Sequence, residues 1–432
     1  MKTAAVRLED AYPLSPLQHG MLTNGLRNPG TGVDVEQYIF ELRETLDLPN
    51  LKHACQCVAD RHATLRTSFR WKDLKEPHQE VHTRIELPWE LQDFSRIEIA
   101  ERDKYFADLL RVDRRRSFDL ACAPLWRLTV VRYSEAQWRL IWTYHHSILD
   151  GIALPLLLRE TFAFYDGLVC GDKIALPVPR PFRDYIDWLQ KQDFGKAEKF
   201  WHHTLKGFRT PTPLLIHHTK NIESDIAAPQ GTCELRLSSE LTTKLRTLTK
   251  KNHITLNTLM QGAWAVLLSR FSGESDVVFG VLRTARRAIE GAETMVGLLL
   301  NTLPLRVLVK SDAPLLAYLK QIRSQWISEN CRPGRSPTLT ANNHHAENSD
   351  HRDGAAANAR LRAAIPATTA TETARPMVPG GLGGERQVLR AGLRQGAASR
   401  SQKRLVPDRL ARERQLLHPL KVDFEEDSDH ET

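Results

Sequence analysis

The spacing of apolar residues predicts one helix and two strands in the first part of the chain. Apolar residues recur at helical spacing from residue 51 onward, and Asn50 stands before them as a candidate N-cap. The positions that define this apolar face are Leu51, Ala54, Cys55 and Val58. The segments Glu36 to Leu42 and Thr67 to Trp71 are typical of strands. Strands and helices therefore mix early in the sequence.

A β-hairpin is predicted in the middle of the chain. The segments Trp126 to Tyr133 and Trp138 to His146 are rich in β-branched and aromatic residues, and only the polar stretch 134–137 separates them. After Gly151, the leucines of the segment Ala153 to Tyr165 return to helical spacing. The hairpin therefore leads directly into a helix.

The proline-rich stretch Pro177 to Pro181 interrupts this pattern, so we place a boundary between two lobes near residue 175. A helix over Phe182 to Leu189 opens the second lobe, which again mixes helices and strands. The predicted helices are Ser239 to Lys251, Thr258 to Phe271 and Pro314 to Trp326, and the predicted strands are Asp276 to Val281 and Leu303 to Val309.

The composition changes after about Glu329. Ala, Arg, Gly, Pro and Thr dominate, periodicity is lost, and Phe424 is the only aromatic residue from there to the end. A segment that buries so little apolar surface cannot offset its ordering entropy, so we expect residues 330–432 to be disordered, with a transient helix around Asp408 to Leu417. The chain therefore divides into residues 1–175, residues 176–329 and this tail.

Composition excludes several classes of protein. The 432 residues are 41% apolar and 26% charged, which is typical of a soluble globular protein. No stretch approaches the eighteen or so apolar residues of a membrane span, and no signal-peptide pattern is present, so we expect a cytoplasmic protein without membrane contact. The net charge of +8 would suit nucleic acid, but no nucleic-acid motif is present, and we prefer a solvated basic surface. The six cysteines lack metal-type spacing, which favours reduced thiols and no metal site.

Candidate chemistry lies at the end of the predicted hairpin, in the sequence Tyr144-His-His-Ser-Ile-Leu-Asp-Gly151. Neighbouring strand residues point to opposite faces, so at most one of His145 and His146 enters any one cavity. Imidazole moves protons well near neutral pH, which makes one of the pair a general-base candidate. Asp150 precedes a helix and is expected to cap it, alone or alongside a buried ion pair. A single strand histidine is more often packed or exposed than catalytic, so the functional prediction depends on the whole motif and not on one histidine.

The motif H-H-x-x-x-D-G resembles the signature of the condensation domains of nonribosomal peptide synthetases, and of the wider acyltransferase superfamily that resembles chloramphenicol acetyltransferase. Further motifs of that family occur in family order over residues 8–329. They are Tyr12 to Leu22, Arg61 to Phe69, Ser117 to Leu120, Phe182 to Trp188 and Val296 to Leu303. Several ordered motifs together are far more specific than any one of them.

This resemblance implies an α/β (α+β) fold of two chloramphenicol-acetyltransferase-like lobes in a V shape, with a tunnel between them. It makes His146 the catalytic residue and His145 its structural neighbour. It also implies a buried pair between Asp150 and an arginine of the second motif. Arg61 is the preferred partner and Arg66 the less favoured one.

Three further residues receive roles from the same resemblance. Gly151 would let backbone approach the reacting centre and offer its N–H to an oxyanion, or it would only begin the helix. Asn301 and Thr302, just before a predicted strand, correspond to residues that line the tunnel, although they could equally form a turn.

The implied reaction is amide formation between a donor acyl thioester and an acceptor aminoacyl thioester. Both would be held on phosphopantetheine arms of peptidyl carrier proteins or neighbouring synthetase modules, so the chain itself is expected to bind no cofactor. Two alternatives stay open: an inactive carrier-binding remnant, and an ester-forming acyltransferase of the same superfamily. Complete family members continue past the fifth motif with motifs that are not recognisable here, which suggests a truncated or frameshifted gene and an incomplete second lobe.

Overall fold

The structure is a computed structural model, and it describes residues 7–27, 32, 34–208, 212, 235–330 and 414–417. Within these ranges the chain mixes helices and strands, as the sequence predicts. None of the helices in this part of the chain is both long enough and apolar enough to cross a membrane.

The elements alternate irregularly along the chain. The strands are β1 (Leu8–Pro13), β2 (Val35–Leu42), β3 (Thr67–Arg70), β4 (His78–His82), β5 (Trp89–Asp93), β6 (Trp126–Ser134), β7 (Gln137–His145), β8 (Asp276–Thr284), β9 (Leu300–Leu308) and β10 (Arg414–Leu417). The helices are α1 (Pro16–Arg27), α2 (Leu48–Arg61), α3 (Ile99–Arg115), α4 (Ala153–Cys170), α5 (Arg183–Gln190), α6 (Phe194–Thr204), α7 (Ser239–Lys251), α8 (Leu256–Ser272) and α9 (Leu315–Asn330).

A mixed sheet in the order β10-β2-β7-β6-β5 forms the centre of the first lobe. The β6–β7 hairpin has the predicted position, and its antiparallel register runs from Trp126 opposite Tyr144 to Ser134 opposite Gln137. Strand β2 pairs antiparallel with the other edge of β7. The strand that ends at the histidines is therefore held on both edges, which satisfies its backbone groups and fixes its register.

Helices cover both faces of this sheet. Helices α2 and α4 pack against the face that carries Leu128, Leu140 and Trp142, all of them fully buried. Helix α3 packs against the opposite face, where Phe106 meets Val131. Full burial of a leucine side chain contributes about 1.5–3 kcal/mol, so these layers stabilise the lobe substantially.

Helix α3 is absent from the sequence-based prediction, and a polar cluster fastens it to the sheet. The buried carboxylate of Asp113 accepts hydrogen bonds from Arg127 at 2.5 Å, from Thr143 at 2.5 Å and from Gln37 at 2.7 Å. A carboxylate with three donors offsets its own desolvation. Because Thr143 and His145 share one face of β7, the cluster also fixes the side of the strand on which His145 lies.

Helix α2 begins earlier than predicted. Asp47 is the N-cap in place of Asn50, since its Oδ1 accepts a hydrogen bond from the backbone N–H of Asn50 at 3.0 Å. Pro49 lies in the first turn, where its missing N–H leaves no hydrogen bond unmade. The apolar spacing starts only at Leu51, so it did not indicate this first turn.

A small sheet in the order β1-β4-β3 and helix α5 lie between the lobes. One buried apolar cluster joins Tyr12 of β1 and Tyr185 of α5 to Met295 and Leu299, which lie just before β9. The boundary predicted near residue 175 is therefore followed by a helix that still packs on the first lobe.

The second lobe rests on the antiparallel pair of β8 and β9, which runs from Asp276 opposite Leu308 to Thr284 opposite Leu300. Helices α8 and α9 bury Ala265 and Leu319 against this pair. Helix α7 has the predicted bounds, while β8 and β9 extend beyond the predicted strands.

Most of the predicted tail, residues 331–413 and 418–432, lies outside the described residues, so its disorder stays a prediction. Strand β10 pairs antiparallel with β2, from Arg414 opposite Leu42 to Leu417 opposite Ile39. The helix predicted over Asp408 to Leu417 is therefore wrong for its last four residues. An open strand edge offers backbone partners that a short isolated helix lacks, which favours the strand.

Candidate active site

His146 lies immediately after β7 and is half-buried. Its backbone N–H donates to the carbonyl of Asp34 at 2.7 Å, and its Nδ1 lies 2.7 Å from the carbonyl oxygen of Leu149. A carbonyl only accepts hydrogen bonds, so Nδ1 carries the ring proton of the neutral imidazole. The lone pair on Nε2 is therefore the one available to take a proton.

His145 has the opposite arrangement. Its Nδ1 accepts a hydrogen bond from the backbone N–H of Ser147 at 3.3 Å and lies 2.7 Å from Ser147 Oγ, so the proton of the neutral ring sits on Nε2. Burial, together with the neighbouring His146, lowers the pKa of His145 to about 3. His145 is therefore neutral and packed in the core at physiological pH.

Asp150 joins the two lobes. It is fully buried, and its Oδ1 accepts the backbone N–H of Ala153, the first residue of α4, at 2.8 Å, although the N-cap position itself is held by Ile152 and not by Asp150 as predicted. Arg286 Nη2 contacts both carboxylate oxygens, at 2.8 and 2.9 Å, and the backbone N–H of Leu299 donates to Oδ2 at 3.2 Å. The carboxylate is thus saturated with donors and structural in its contacts.

The predicted partners of Asp150 are wrong. Arg61 donates from Nε to Glu160 at 2.9 Å and from a guanidinium nitrogen to the carbonyl of Pro177. Arg66 donates to Glu9 at 2.5 Å and to backbone carbonyls of the first lobe. Both arginines therefore tie the second motif to nearby elements, and the residue that reaches Asp150 comes from the second lobe.

Arg286 carried no signal that singles it out in the sequence. It lies 136 residues from Asp150, in a short 3-10 turn after β8, and Arg283 and Arg287 lie close to it. Its side chain is selected by the fold: Nη1 donates to the carbonyls of Ala292 and Met295 at 2.8 and 2.6 Å. Its hydrogen bonds to the turn before β9 therefore distinguish Arg286 from Arg283 and Arg287.

Asn301 and Thr302 lie inside β9, which begins at Leu300, and not before the strand as predicted. They pair in register with Arg283 and Leu282 of β8. Both are half-buried, and Asn301 Oδ1 accepts the backbone N–H of Thr302 at 2.9 Å. Their role in lining a tunnel stays a prediction.

Gly151 is exposed and lies in the turn that leads into α4. A Cβ placed there would meet only Tyr38 Oη, at 3.7 Å, which is an ordinary contact. Gly297 is different, since a Cβ there would come within 2.2 Å of the Phe182 ring. The motif Val296 to Leu303 therefore needs glycine where it crosses the motif Phe182 to Trp188. The carbonyl of Gly297 also accepts the backbone N–H of Asp150 at 3.2 Å.

Gln18, within the first motif, is a site residue that sequence reasoning did not single out. Its side chain is buried, and its Nε2 donates to the carbonyl of Ser147 at 3.0 Å. Gln79 on β4 lies at hydrogen-bonding distance from it. Helix α1 thereby holds the loop that follows the histidines. Within the described residues, no three His, Cys, Asp or Glu side chains are grouped to hold a metal ion.

The fold matches solved structures of condensation domains. The first condensation domain of the calcium-dependent antibiotic synthetase aligns with a TM-score of 0.61 at 15% identity, covering 75% of this chain and 75% of that one. The X-domain from teicoplanin biosynthesis aligns with a TM-score of 0.63 at 23% identity, covering 76% of this chain and 72% of that one. The chain therefore has the mixed α/β, chloramphenicol-acetyltransferase-like fold of these structures, as expected.

Sequence comparison identifies the family. The condensation domain model matches residues 8–330. A linear gramicidin synthase from Brevibacillus parabrevis is 41% identical over 318 residues, and bacitracin synthase 1 from Bacillus licheniformis is 30% identical over 330 residues. This chain belongs to the condensation domain family of nonribosomal peptide synthetases. It spans only 6% of the length of each of those two relatives, and the two matches cover 73% and 76% of its own length.

Proposed function

We propose that this chain forms an amide bond between a donor acyl thioester and an acceptor aminoacyl thioester, both presented on phosphopantetheine arms of carrier proteins. The observation that carries the proposal is the tautomer of His146. The carbonyl of Leu149, 2.7 Å from Nδ1, holds the ring proton there and leaves the lone pair of Nε2 to act as a base.

The proposed reaction needs no added cofactor. The acceptor amine attacks the donor carbonyl, forming the C–N bond, and the carbonyl electrons move to the oxygen. His146 Nε2 takes the proton that the nitrogen loses. When the oxyanion collapses, the C–S bond breaks, and the imidazolium returns the proton to the departing thiolate. The backbone N–H of Gly151, an exposed residue, is the proposed oxyanion donor.

Asp150 is not part of the proposed proton path. Its oxygens already accept from Arg286 and from backbone N–H groups, and it is fully buried. Its proposed role is to hold the start of α4 and the loop after His146 in place.

A two-carrier assay tests the proposal. One carrier is loaded with a donor acyl group and the other with an aminoacyl acceptor, and the transferred product is followed by mass spectrometry. We expect His146→Ala to lower the rate at least about a hundredfold, the usual range for a general base. His53→Ala, at an exposed position on α2, is the matched control and should retain full activity.

The remaining outcomes separate the alternatives. Equal product from wild type and His146→Ala contradicts the catalytic role of His146. Carrier binding without product from the intact chain favours the inactive remnant. Product with alcohol acceptors but none with amines favours the ester-forming acyltransferase.

A further inference from the structure

An acidic residue lies beside His146 in a tightly held loop. Asp34 adopts a left-handed backbone with φ of 65°, and its carbonyl accepts the backbone N–H of His146 at 2.7 Å. The following residue, Val35, pairs in register with His145. Backbone pairing therefore places the Asp34 residue directly opposite His146 at the end of the β2–β7 ladder.

One internal hydrogen bond and contacts with helix α3 hold this loop. The backbone N–H of Val35 donates to the carbonyl of Gly32 at 3.2 Å, and Arg114 at the end of α3 donates to the carbonyl of Val35 at 3.3 Å. A Cβ on Gly32 would lie 3.0 Å from the carbonyl oxygen of Arg114, so the loop and α3 are in close contact. The position of Asp34 is thus set by packing on both sides.

The Asp34 carboxyl is short of donors. Its Oδ2 is buried and accepts no hydrogen bond from the described residues, while Asn24 on α1 donates to the side chain. Burial raises the pKa of the Asp34 carboxyl, and Glu36 acts in the same direction, whereas the adjacent His146 ring lowers it. A carboxylate in this state gains more from a neighbouring positive charge than one in water does.

We propose that Asp34 is a positioning residue for His146, acting as the counter-charge that stabilises the imidazolium formed during amide synthesis. The inference rests on the proposed function, because the imidazolium forms only when Nε2 accepts the proton of the attacking amine. Asp34 itself does not exchange a proton. Its negative charge makes His146 a stronger base without contacting the substrate.

The ionisable groups around this pair are few within the part of the chain that the structure describes. Glu36 lies on β2, His145 precedes His146 on β7, and Arg114 reaches the loop from α3. His145 is neutral near pH 7, because its pKa lies at about 3. Substitutions at Asp34 and at Glu36 therefore distinguish a specific partner from a general negative field.

The first test is an NMR titration of the full chain with labelled histidine, in which His146→Gln identifies the His146 signal. We expect Asp34→Asn to move the midpoint of the His146 titration to lower pH by about 0.5 to 1 unit, at the low end of the effect of a nearby charge. Asparagine tolerates the left-handed conformation, so the loop is preserved. Asp34→Glu should restore at least half of the shift, and Asp108→Asn, at an exposed site on α3, should cause none.

The second test measures turnover in the two-carrier assay. Asp34→Asn should lower kcat by about three- to tenfold, because a shift of about 0.5 to 1 unit corresponds to that change in proton affinity. The KM for the acceptor should stay constant, and Glu36→Gln should have the smaller effect on both readouts.

The two tests fail separately. An unmoved His146 midpoint in Asp34→Asn overturns the inference, as does a raised acceptor KM with kcat unchanged, which would indicate binding of the acceptor ammonium. Absence of product from the wild type contradicts the proposed function, and the titration still decides whether Asp34 is the counter-charge of His146.

Discussion

Helices α4 and α8 are similar in length and apolar content, yet they are buried very differently. Helix α4 has 18 residues and packs on both α2 and the central sheet, so that leucines such as Leu154 and Leu157 are almost completely inaccessible. Helix α8 has 17 residues and leaves several large apolar side chains exposed. These are Met260, Trp264, Val266, Leu267 and Phe271.

The difference shows that the candidate site is held by two lobes that are not equally well packed. The first lobe covers both faces of its sheet, and it holds His145 and His146. The second lobe leaves one face of α8 exposed within the described residues, yet it supplies Arg286 and the backbone N–H of Leu299 to Asp150. The well-packed lobe therefore carries the proposed base, and the less covered lobe completes the loop around it.

The largest expected effect comes from breaking the link between the lobes. Arg286→Gln leaves the Asp150 carboxylate buried without its counter-charge, which should lower the free energy of unfolding by about 3–5 kcal/mol. Urea denaturation followed by tryptophan fluorescence measures the change. The double variant with Asp150→Asn should lose less than the sum of the two single losses, because the pair is coupled.

The matched control is Arg287→Gln, at the adjacent exposed arginine. It should change stability by no more than about 0.5 kcal/mol. A similar loss in both variants would mean that the Asp150–Arg286 contact contributes little to holding the lobes together.

A smaller effect on stability is expected at low pH, because His145 is buried in the first lobe. The pKa of His145 is about 3 in the folded protein, and the unfolded chain takes up this proton near pH 6.5. The unfolded state therefore binds the proton first, and stability falls as the pH is lowered from about 6.5 toward 3, by up to about 1.4 kcal/mol per pH unit from this residue.

Urea denaturation between pH 7 and pH 4.5 measures that slope. His145→Gln should show a shallower loss than the wild type, whatever its stability at pH 7. His53→Gln should keep the wild-type slope, because His53 is exposed in the folded state. Parallel curves for wild type and His145→Gln would contradict the neutral, buried state of His145.

The smallest effect is expected on the exposed face of α8. Trp264→Gln and Phe271→Gln should each change the free energy of unfolding by no more than about 0.5 kcal/mol, while reducing self-association in light scattering. Leu157→Ala on α4 is the buried counterpart and should cost about 2–5 kcal/mol. Equal losses on α4 and α8 would remove the contrast between the two helices.

Much of the fold followed from local sequence. The β6–β7 hairpin was predictable because β-rich segments flank a short polar turn, and α7 because its apolar spacing and Ser238 cap agree. Helix α3 was not predicted, since Phe106 is its one buried large apolar residue, Leu109 and Leu110 are only partly buried, and Asp113 supplies a polar anchorage. A buried carboxylate on a charged helix looks like a surface position until the strands opposite are known.

The residues of the candidate site also differ in whether local sequence could predict them. The motif around His146 lies within one loop, so its residues could be named from the sequence. The partner of Asp150 could not, because Arg286 is placed by a distant turn, and the second-motif arginines that seemed suitable are occupied by Glu160 and Glu9. Contacts within one segment can be predicted from sequence, whereas contacts between the lobes can be identified only once the fold is known.

The contact between Arg61 and the carbonyl of Pro177 has a consequence for motion. It attaches the start of the connecting segment to the body formed by α2 and α4, so that segment moves with the first lobe. Because α5 also packs on the first lobe, any rocking of one lobe against the other would have to pivot beyond α5 and would strain the charge pair at Asp150. The ion pair between Asp150 and Arg286, at the base of the candidate site, would therefore resist such a movement.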